Sequence, residues 1–116
     1  MKFEKAFTPY MIGNVQIKNR FIMPAMDSGV FDPEGYVIQP TLDYYGARAA
    51  GGFGLIIIEI AAVEKRGVGM PDEPHLWDDT CIPGMTKLAK VIKTHGARTI
   101  VQLHHAGRET IDLMAG

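Results

Sequence analysis

A continuous apolar run near the middle of the chain, Gly54–Val63, constrains the fold more than any other feature of the sequence. It is interrupted only by Glu59 and is dominated by isoleucine. A strand that is apolar at consecutive positions has to be covered on both faces, as in parallel sheets flanked by helices. The run covers only about half of the roughly 20 residues that cross a bilayer, so we expect no membrane partner. The pattern indicates an α/β protein.

Helical and extended patterns alternate around this run. Pro40 suits the first position of a helix that Gly51 ends. Asp78 or Asp79 can cap a second helix that stops near Gly96. The predicted order is a strand over 20–26, a helix over 40–50, the strand 54–63, a helix beginning after 78 or 79, and a strand over 99–104. This order is the repeating unit of a parallel α/β fold.

The connections also carry signals. A Gly-Asn pair within Met11–Ile17 predicts a small hairpin at the beginning of the chain. Pro24 cannot donate to a sheet ladder, so the first strand should end near it. The loops Asp27–Gln39 and Glu64–Trp77 are longer than the usual 2 to 6 residues of such connections. Long loops at the carboxyl ends of strands are where α/β proteins build their sites.

Charge and cysteine content exclude several classes of protein. Lys plus Arg number 12 and Asp plus Glu 13, which gives a net charge of -1. The chain therefore has no excess positive charge that would attract a nucleic acid backbone. The single cysteine, Cys81, cannot form an internal disulfide, and the N-terminus lacks the pattern of an export signal. We therefore expect a cytoplasmic protein. Cys81, His75 and His95 show no recognised zinc-ligand spacing, so we expect no metal site.

Two polar residues interrupt apolar strands. Gln102 lies in the middle of the last predicted strand, where we expect it to be buried, and a buried amide must satisfy both donor and acceptor groups. Structural partners are the usual solution, but a heterocycle with alternating N–H and C=O groups would pair with it equally well. Glu59 could act as an acid or base, although carboxylates in such positions are more often held by a hydrogen-bond network.

Further candidates lie where the predicted strands end. Small or rigid residues follow Met23, so the backbone there can approach a flat ligand, although a strand that simply ends at a proline is the alternative. His104, His105 and Arg108 cluster after the last strand. Adjacent histidines point to opposite sides of an extended chain, which makes them a poor pair of ligands for one metal ion.

Three blocks of sequence resemble the Old Yellow Enzyme family of FMN-dependent oxidoreductases, in its NADH:flavin oxidoreductase and 2,4-dienoyl-CoA reductase-like branch. They are Lys18–Arg20 with Ile22–Met26, Gly54–Glu59, and Gln102–Arg108. Members of this family are TIM (β/α)8 barrels. The resemblance implies that residues 1–116 form an incomplete FMN-binding domain, consisting of the leading hairpin and the first three βα strands.

The resemblance also implies which residues contact the flavin. Expected at the cofactor are the backbone of Pro24, Ala25 and Met26, the adjacent Asp27, Ile60 or Ala61, and Gln102 at the pyrimidine edge. His105 and Arg108 would shape the mouth of the active site. Asp27 stands where many members carry Cys or Thr, and an ionised carboxylate there would lower the flavin reduction potential. No catalytic residue is assigned within 1–116.

The implied activity is hydride transfer from NAD(P)H through FMN to an activated alkene, such as an enone or enoyl thioester. In this branch an iron–sulfur cluster often follows the barrel. A complete barrel needs about 250 residues, so we expect the chain to be inactive alone and to be part of a longer enzyme. The alternative is a non-catalytic α/β module that assembles through its exposed strands. We expect a homo-oligomer, because self-assembly would cover the open sheet edges.

Overall fold

The computed structural model describes residues 2–110. Its helices and strands are α1 (Glu4–Phe7), β1 (Tyr10–Ile12), β2 (Val15–Ile17), β3 (Ile22–Met23), α2 (Gln39–Ala50), β4 (Leu55–Ala62), α3 (Ile82–Thr94) and β5 (Arg98–His104). Short 3-10 helices occupy Lys65–Gly67, Asp79–Cys81 and Gly107–Glu109. Within residues 2–110, no helix is both long and apolar enough to cross a membrane.

Two sheets are present in the described part of the chain. Strands β1 and β2 pair antiparallel as the predicted hairpin, with Gly13 at φ 58° in the turn. Strands β3, β4 and β5 form a parallel sheet in that order, in which Ile22 pairs with Leu55 and Leu55 with Arg98. The prediction of three adjacent parallel strands is therefore confirmed.

Helices α2 and α3 cover one face of the parallel sheet. Tyr45 and Ala49 of α2 and Leu88 and Ile92 of α3 are fully buried, because each helix turns its apolar stripe toward the strands. From the sheet, Met23, Ile56 and Ile58 complete this core. Val101 of β5 packs against the core from its edge.

The other face of the sheet is open. Ile22 of β3 is 42% exposed and Ile100 of β5 is 54% exposed. Gln102, which the sequence led us to expect as a buried residue, is exposed as well. The prediction of its burial is wrong because alternation places it on the face opposite α2 and α3, which no other described element covers.

Most predicted elements are present, with shifted ends. The first strand is only Ile22–Met23, shorter than the predicted 20–26, and it ends just before Pro24 as expected. The second helix begins at Ile82, after a 3-10 turn in which the Asp78 carboxylate accepts the N–H of Thr80. The short helix α1 was not predicted.

Candidate active site at the carboxyl ends of the strands

The residues predicted to contact a cofactor lie together at the carboxyl end of the parallel strands, which we call the carboxyl edge of the sheet. Pro24–Asp27 follows β3, Ile60 lies near the end of β4, and Gln102 lies near the end of β5. Ile60 pairs directly with Gln102, so their side chains share the open face. Ala61 is fully buried, so of these two residues of β4 only Ile60 has exposed surface at this face.

The segment after β3 presents several atoms to this edge. Pro24, Met26 and Asp27 are exposed, and Ala25 is partly buried. The amide of Gln102 has no hydrogen-bond partner among residues 2–110. The structure thus brings together an accessible backbone segment and a free amide whose donors and acceptor are all available.

Glu59 is held by a buried network, which confirms the structural interpretation of this residue. Its side chain is buried because a β-bulge between Ile58 and Ile60 shifts the register of β4 against β5. Without the bulge, Glu59 would pair with Gln102 and point to the open face. With it, the carboxylate reaches Tyr45 of α2.

The Glu59 carboxylate accepts three hydrogen bonds. The Ser28 N–H donates to Oε1 over 3.1 Å, the Ser28 hydroxyl donates to Oε2, and the Tyr45 hydroxyl donates to Oε2 over 2.6 Å. Tyr45 Oη in turn accepts the N–H of Glu59 over 3.2 Å. Burial and the Glu59 hydrogen bond raise the pKa of Tyr45 well above its usual range, which keeps this hydroxyl a donor. The network ties the segment after β3 to both β4 and α2.

The edge near Asp27 is acidic. Burial, followed by the nearby charges of Asp27 and Glu59, raises the pKa of the Asp72 carboxyl above its usual value. Asp72 itself has a positive φ of 58°. Asp27 is exposed after β3, so its charge is not hidden from a ligand at this edge.

Two histidines follow each other at the end of β5, and each contacts a glutamate of the loop that follows β4. Nδ1 of His104 lies 2.7 Å from Oε1 of Glu73, which is buried. Nε2 of His105 lies 3.3 Å from Oε2 of Glu64 in an exposed pair. Arg108 extends into solvent with 93% of its side chain exposed and contacts Glu109.

A buried histidine, His75, connects the two long loops and was not predicted as a functional or structural centre. Its Nδ1 lies 3.2 Å from the carbonyl oxygen of Glu34, and its Nε2 lies 3.1 Å from Oγ1 of Thr80. Its ring stacks on Trp77 with the centroids 4.4 Å apart. These contacts hold the loop after β3 against the loop after β4.

The Asp78 carboxylate adds a charge-dependent contact to this cluster. Its hydrogen bonds from Thr80, with a smaller contribution from His75, hold the pKa of Asp78 below its usual value. A lowered carboxyl pKa stabilises the folded chain above a pH of about 4, and this contribution disappears as the pH falls through the folded pKa.

We expect Asp78→Asn, which keeps a capping oxygen, to reduce the loss of stability between pH 5 and pH 2. Urea midpoints measured across that range would contradict this if both proteins lost stability in parallel.

A groove at the opposite end of the sheet does not coincide with these groups. It has a volume of about 540 Å³ and is lined by residues that include Phe7, Asn19 and Phe53. It lies where β3 and β4 begin. In barrels built from parallel strands, this amino-terminal end serves stability and the carboxyl end carries the chemistry.

Comparison with known proteins gives a consistent result. The profile of the NADH:flavin oxidoreductase / NADH oxidase family matches residues 5–115. An NADH oxidase of Thermoanaerobacter brockii is 40% identical over 109 residues, which are 93% of this chain and 17% of that protein.

Solved structures of longer enzymes also match. The 2-naphthoyl-CoA reductase complex with 2-naphthoyl-CoA superposes with a TM-score of 0.89 at 33% identity, over 93% of this chain and 16% of that one. Morphinone reductase superposes with a TM-score of 0.85 at 29% identity, over 94% of this chain and 28% of that one. The chain thus spans less than a third of the length of each of these relatives.

Proposed function

The chain belongs to the NADH:flavin oxidoreductase / NADH oxidase family, and from this premise we propose that it forms the flavin-facing part of an enzyme that transfers hydride from NAD(P)H through FMN to an activated alkene. An enone or an enoyl thioester is the substrate class we propose. The name of 2-naphthoyl-CoA reductase, with its thioester ligand, supports the second of these.

One observation supports the proposal most strongly. Gln102 is exposed on the face that it shares with Ile60, and its amide has no partner among residues 2–110. The pyrimidine edge of a flavin alternates C=O and N–H groups, so an amide can pair with it through both its oxygen and its nitrogen. The donor set of this edge therefore fits the group that the family implies.

The chain's own residues would bind and orient the cofactor. The exposed backbone at Pro24–Asp27 would contact the ring, and the Glu59 network would hold that backbone in place through Ser28. FMN held there would supply the redox chemistry of hydride transfer. The exposed carboxylate of Asp27 would disfavour negative charge on the ring and so lower its reduction potential.

We also propose, from the family, an iron–sulfur cluster, together with a cover for the open face of the sheet and self-association. Residues 2–110 contain no group of three metal-ligating side chains, so the iron–sulfur cluster that we expect in the intact enzyme would be bound elsewhere. The open apolar face with Ile22 and Ile100 needs cover, from further strands of a barrel or from other copies of the chain. We retain the prediction of a cytoplasmic homo-oligomer.

Substitution of Gln102 tests the cofactor assignment. In the enzyme that contains this chain, we expect Gln102→Ala to weaken FMN binding about fivefold, because a lost hydrogen-bond partner contributes on the order of 1 kcal/mol. Gln16→Ala, on the exposed hairpin strand β2, is the matched control and should leave FMN affinity unchanged. Affinity is measured by titrating the apoprotein with FMN and following flavin fluorescence.

Two results would count against the proposal. Equal FMN affinity for the Gln102→Ala and Gln16→Ala variants would remove the role of this amide. A stable, oligomeric protein that takes up no FMN would favour the non-catalytic module, whose main support is the open apolar face.

A further inference from the structure

The two histidine–glutamate pairs at the end of β5 differ in how far their side chains are buried. His104 and Glu73 form the inner pair, in which the Glu73 side chain is 0% exposed and the His104 side chain is 29% exposed. His105 and Glu64 form the outer pair, with side chains 43% and 46% exposed. Water screens exposed ion pairs, so they contribute little to stability. A buried carboxylate, in contrast, needs hydrogen-bond donors for both of its oxygens.

Both oxygens of the Glu73 carboxylate are engaged. Oε1 lies 2.7 Å from Nδ1 of His104, and Oε2 accepts the N–H of Gly69 over 2.8 Å. A carboxylate held at both oxygens cannot rotate freely, so it determines the orientation of the imidazole that it contacts. Since an ionised carboxylate only accepts, Nδ1 of His104 has to carry the proton.

The ring of His104 lies on the same side of β5 as the amide of Gln102. The two residues are two positions apart, and strand residues at that spacing share a face. The register supports this, because Gln102 pairs with Ile60 and His104 pairs with Ala62, two residues further along β4. His104 therefore lies about 6 to 7 Å beyond Gln102 toward the loops.

Only one nitrogen of this ring remains available. Nδ1 is bound to Glu73, and Nε2 has no hydrogen-bond partner in the part of the chain that the structure describes. The outer pair has the reverse arrangement. Nδ1 of His105 accepts the N–H of Gly107 over 3.0 Å, so its Nε2 carries the proton toward Glu64.

We propose that Glu73 is a positioning residue that holds His104 in the Nδ1–H tautomer, so that the bare Nε2 accepts a hydrogen bond from an N–H or O–H group of the ligand bound beside Gln102. The identity of that ligand as FMN, or as the substrate bound against it, rests on the proposed function. The tautomer and its dependence on Glu73 do not.

Nitrogen NMR of the intact protein labelled with [15N]histidine tests this directly. At pH 8 we expect His104 to show a protonated Nδ1 and a bare Nε2, and His105 to show the opposite pattern. Glu73→Gln should abolish the His104 pattern, because a glutamine cannot accept both the Gly69 N–H and the His104 N–H with a carboxylate's geometry. Glu64→Gln is the matched control and should leave the His104 signals unchanged.

Ligand addition distinguishes the two partners. A shift of the His104 Nε2 signal on addition of FMN alone assigns the bond to an N–H or O–H group of the flavin cofactor, and a shift only after an enoyl-CoA thioester is added, whose amide and hydroxyl groups can donate, assigns it to the substrate. We expect Glu73→Gln to lower kcat/KM about tenfold at unchanged flavin content, while Glu64→Gln leaves it unchanged. Failure to bind FMN would defeat the proposed function but leave the tautomer measurement intact.

Several outcomes would overturn the proposal. A protonated Nε2 on His104 in the unsubstituted protein would do so even if the Glu73→Gln variant failed to fold. The same follows if the His104 pattern survives Glu73→Gln, or if saturating FMN and an enoyl-CoA thioester leave its Nε2 signal in place.

Discussion

Glu59→Ala is expected to lower the free energy of unfolding by about 3 kcal/mol or more. The substitution removes a carboxylate that accepts three hydrogen bonds from Ser28 and Tyr45 in a site that is 1% exposed. Each buried donor left without a partner loses on the order of 1 to 3 kcal/mol, and the empty volume adds to the loss. Urea denaturation followed by the fluorescence of Trp77, the single tryptophan, measures the change.

Two further variants separate the parts of this network. Tyr45→Phe removes one hydroxyl and keeps the ring in the core, so we expect a smaller loss of about 1 to 2 kcal/mol. Glu59→Gln keeps the volume and part of the hydrogen bonding, and its stability should fall between the other two. A Glu59→Ala variant within 1 kcal/mol of the unsubstituted chain would show that water or a rearranged loop replaces the carboxylate.

The elements that local pattern could predict are those with a strong apolar periodicity. The run Gly54–Val63 became β4, and the helix that begins near Pro40 became α2, because burial of one continuous face decides both. The resemblance to the Old Yellow Enzyme family is confirmed by the family match, and the fold is confirmed as the first strands of its barrel. The block Gln102–Arg108 was sufficiently specific to indicate the family without any structure.

What could not be predicted depends on contacts between distant segments. The bulge at Glu59 exists only in the pairing of β4 with β5, and it reverses the face to which that carboxylate points. The pair Glu73–His104 joins residues 31 positions apart, and Glu73 lies in a loop with no periodic pattern. Gln102 was expected to be buried because its strand is apolar, but its open face has no cover within residues 2–110. The cofactor contacts assigned to Pro24–Asp27 stay predictions.

Gly35→Ala is expected to be as damaging as the loss of Glu59, for a different reason. A Cβ at this position would lie 2.3 Å from the carbonyl oxygen of Glu73 and 2.9 Å from the backbone N of His75. Both atoms belong to backbone that is itself fixed, since His75 donates to the Gly35 carbonyl and bridges to Ala62 of β4. A residue other than glycine also strains at φ 81°. Together these effects should lower the free energy of unfolding by about 3 to 5 kcal/mol.

Gly13→Ala is the control that carries the conformational part of this effect without the collision. Gly13 has a φ of 58°, and no neighbouring atom of residues 2–110 lies within 4 Å of the point that an alanine methyl group would occupy, so its substitution carries only the conformational penalty of about 1 to 2 kcal/mol. Both variants lose the same glycine freedom in the unfolded chain, so the difference between their urea midpoints reports the collision with Glu73 and His75. Equal midpoints would mean that the 73–75 segment moves aside at no penalty. In that case the segment would not be rigid enough to hold Glu73 against His104, and the orientation of that histidine would need another cause.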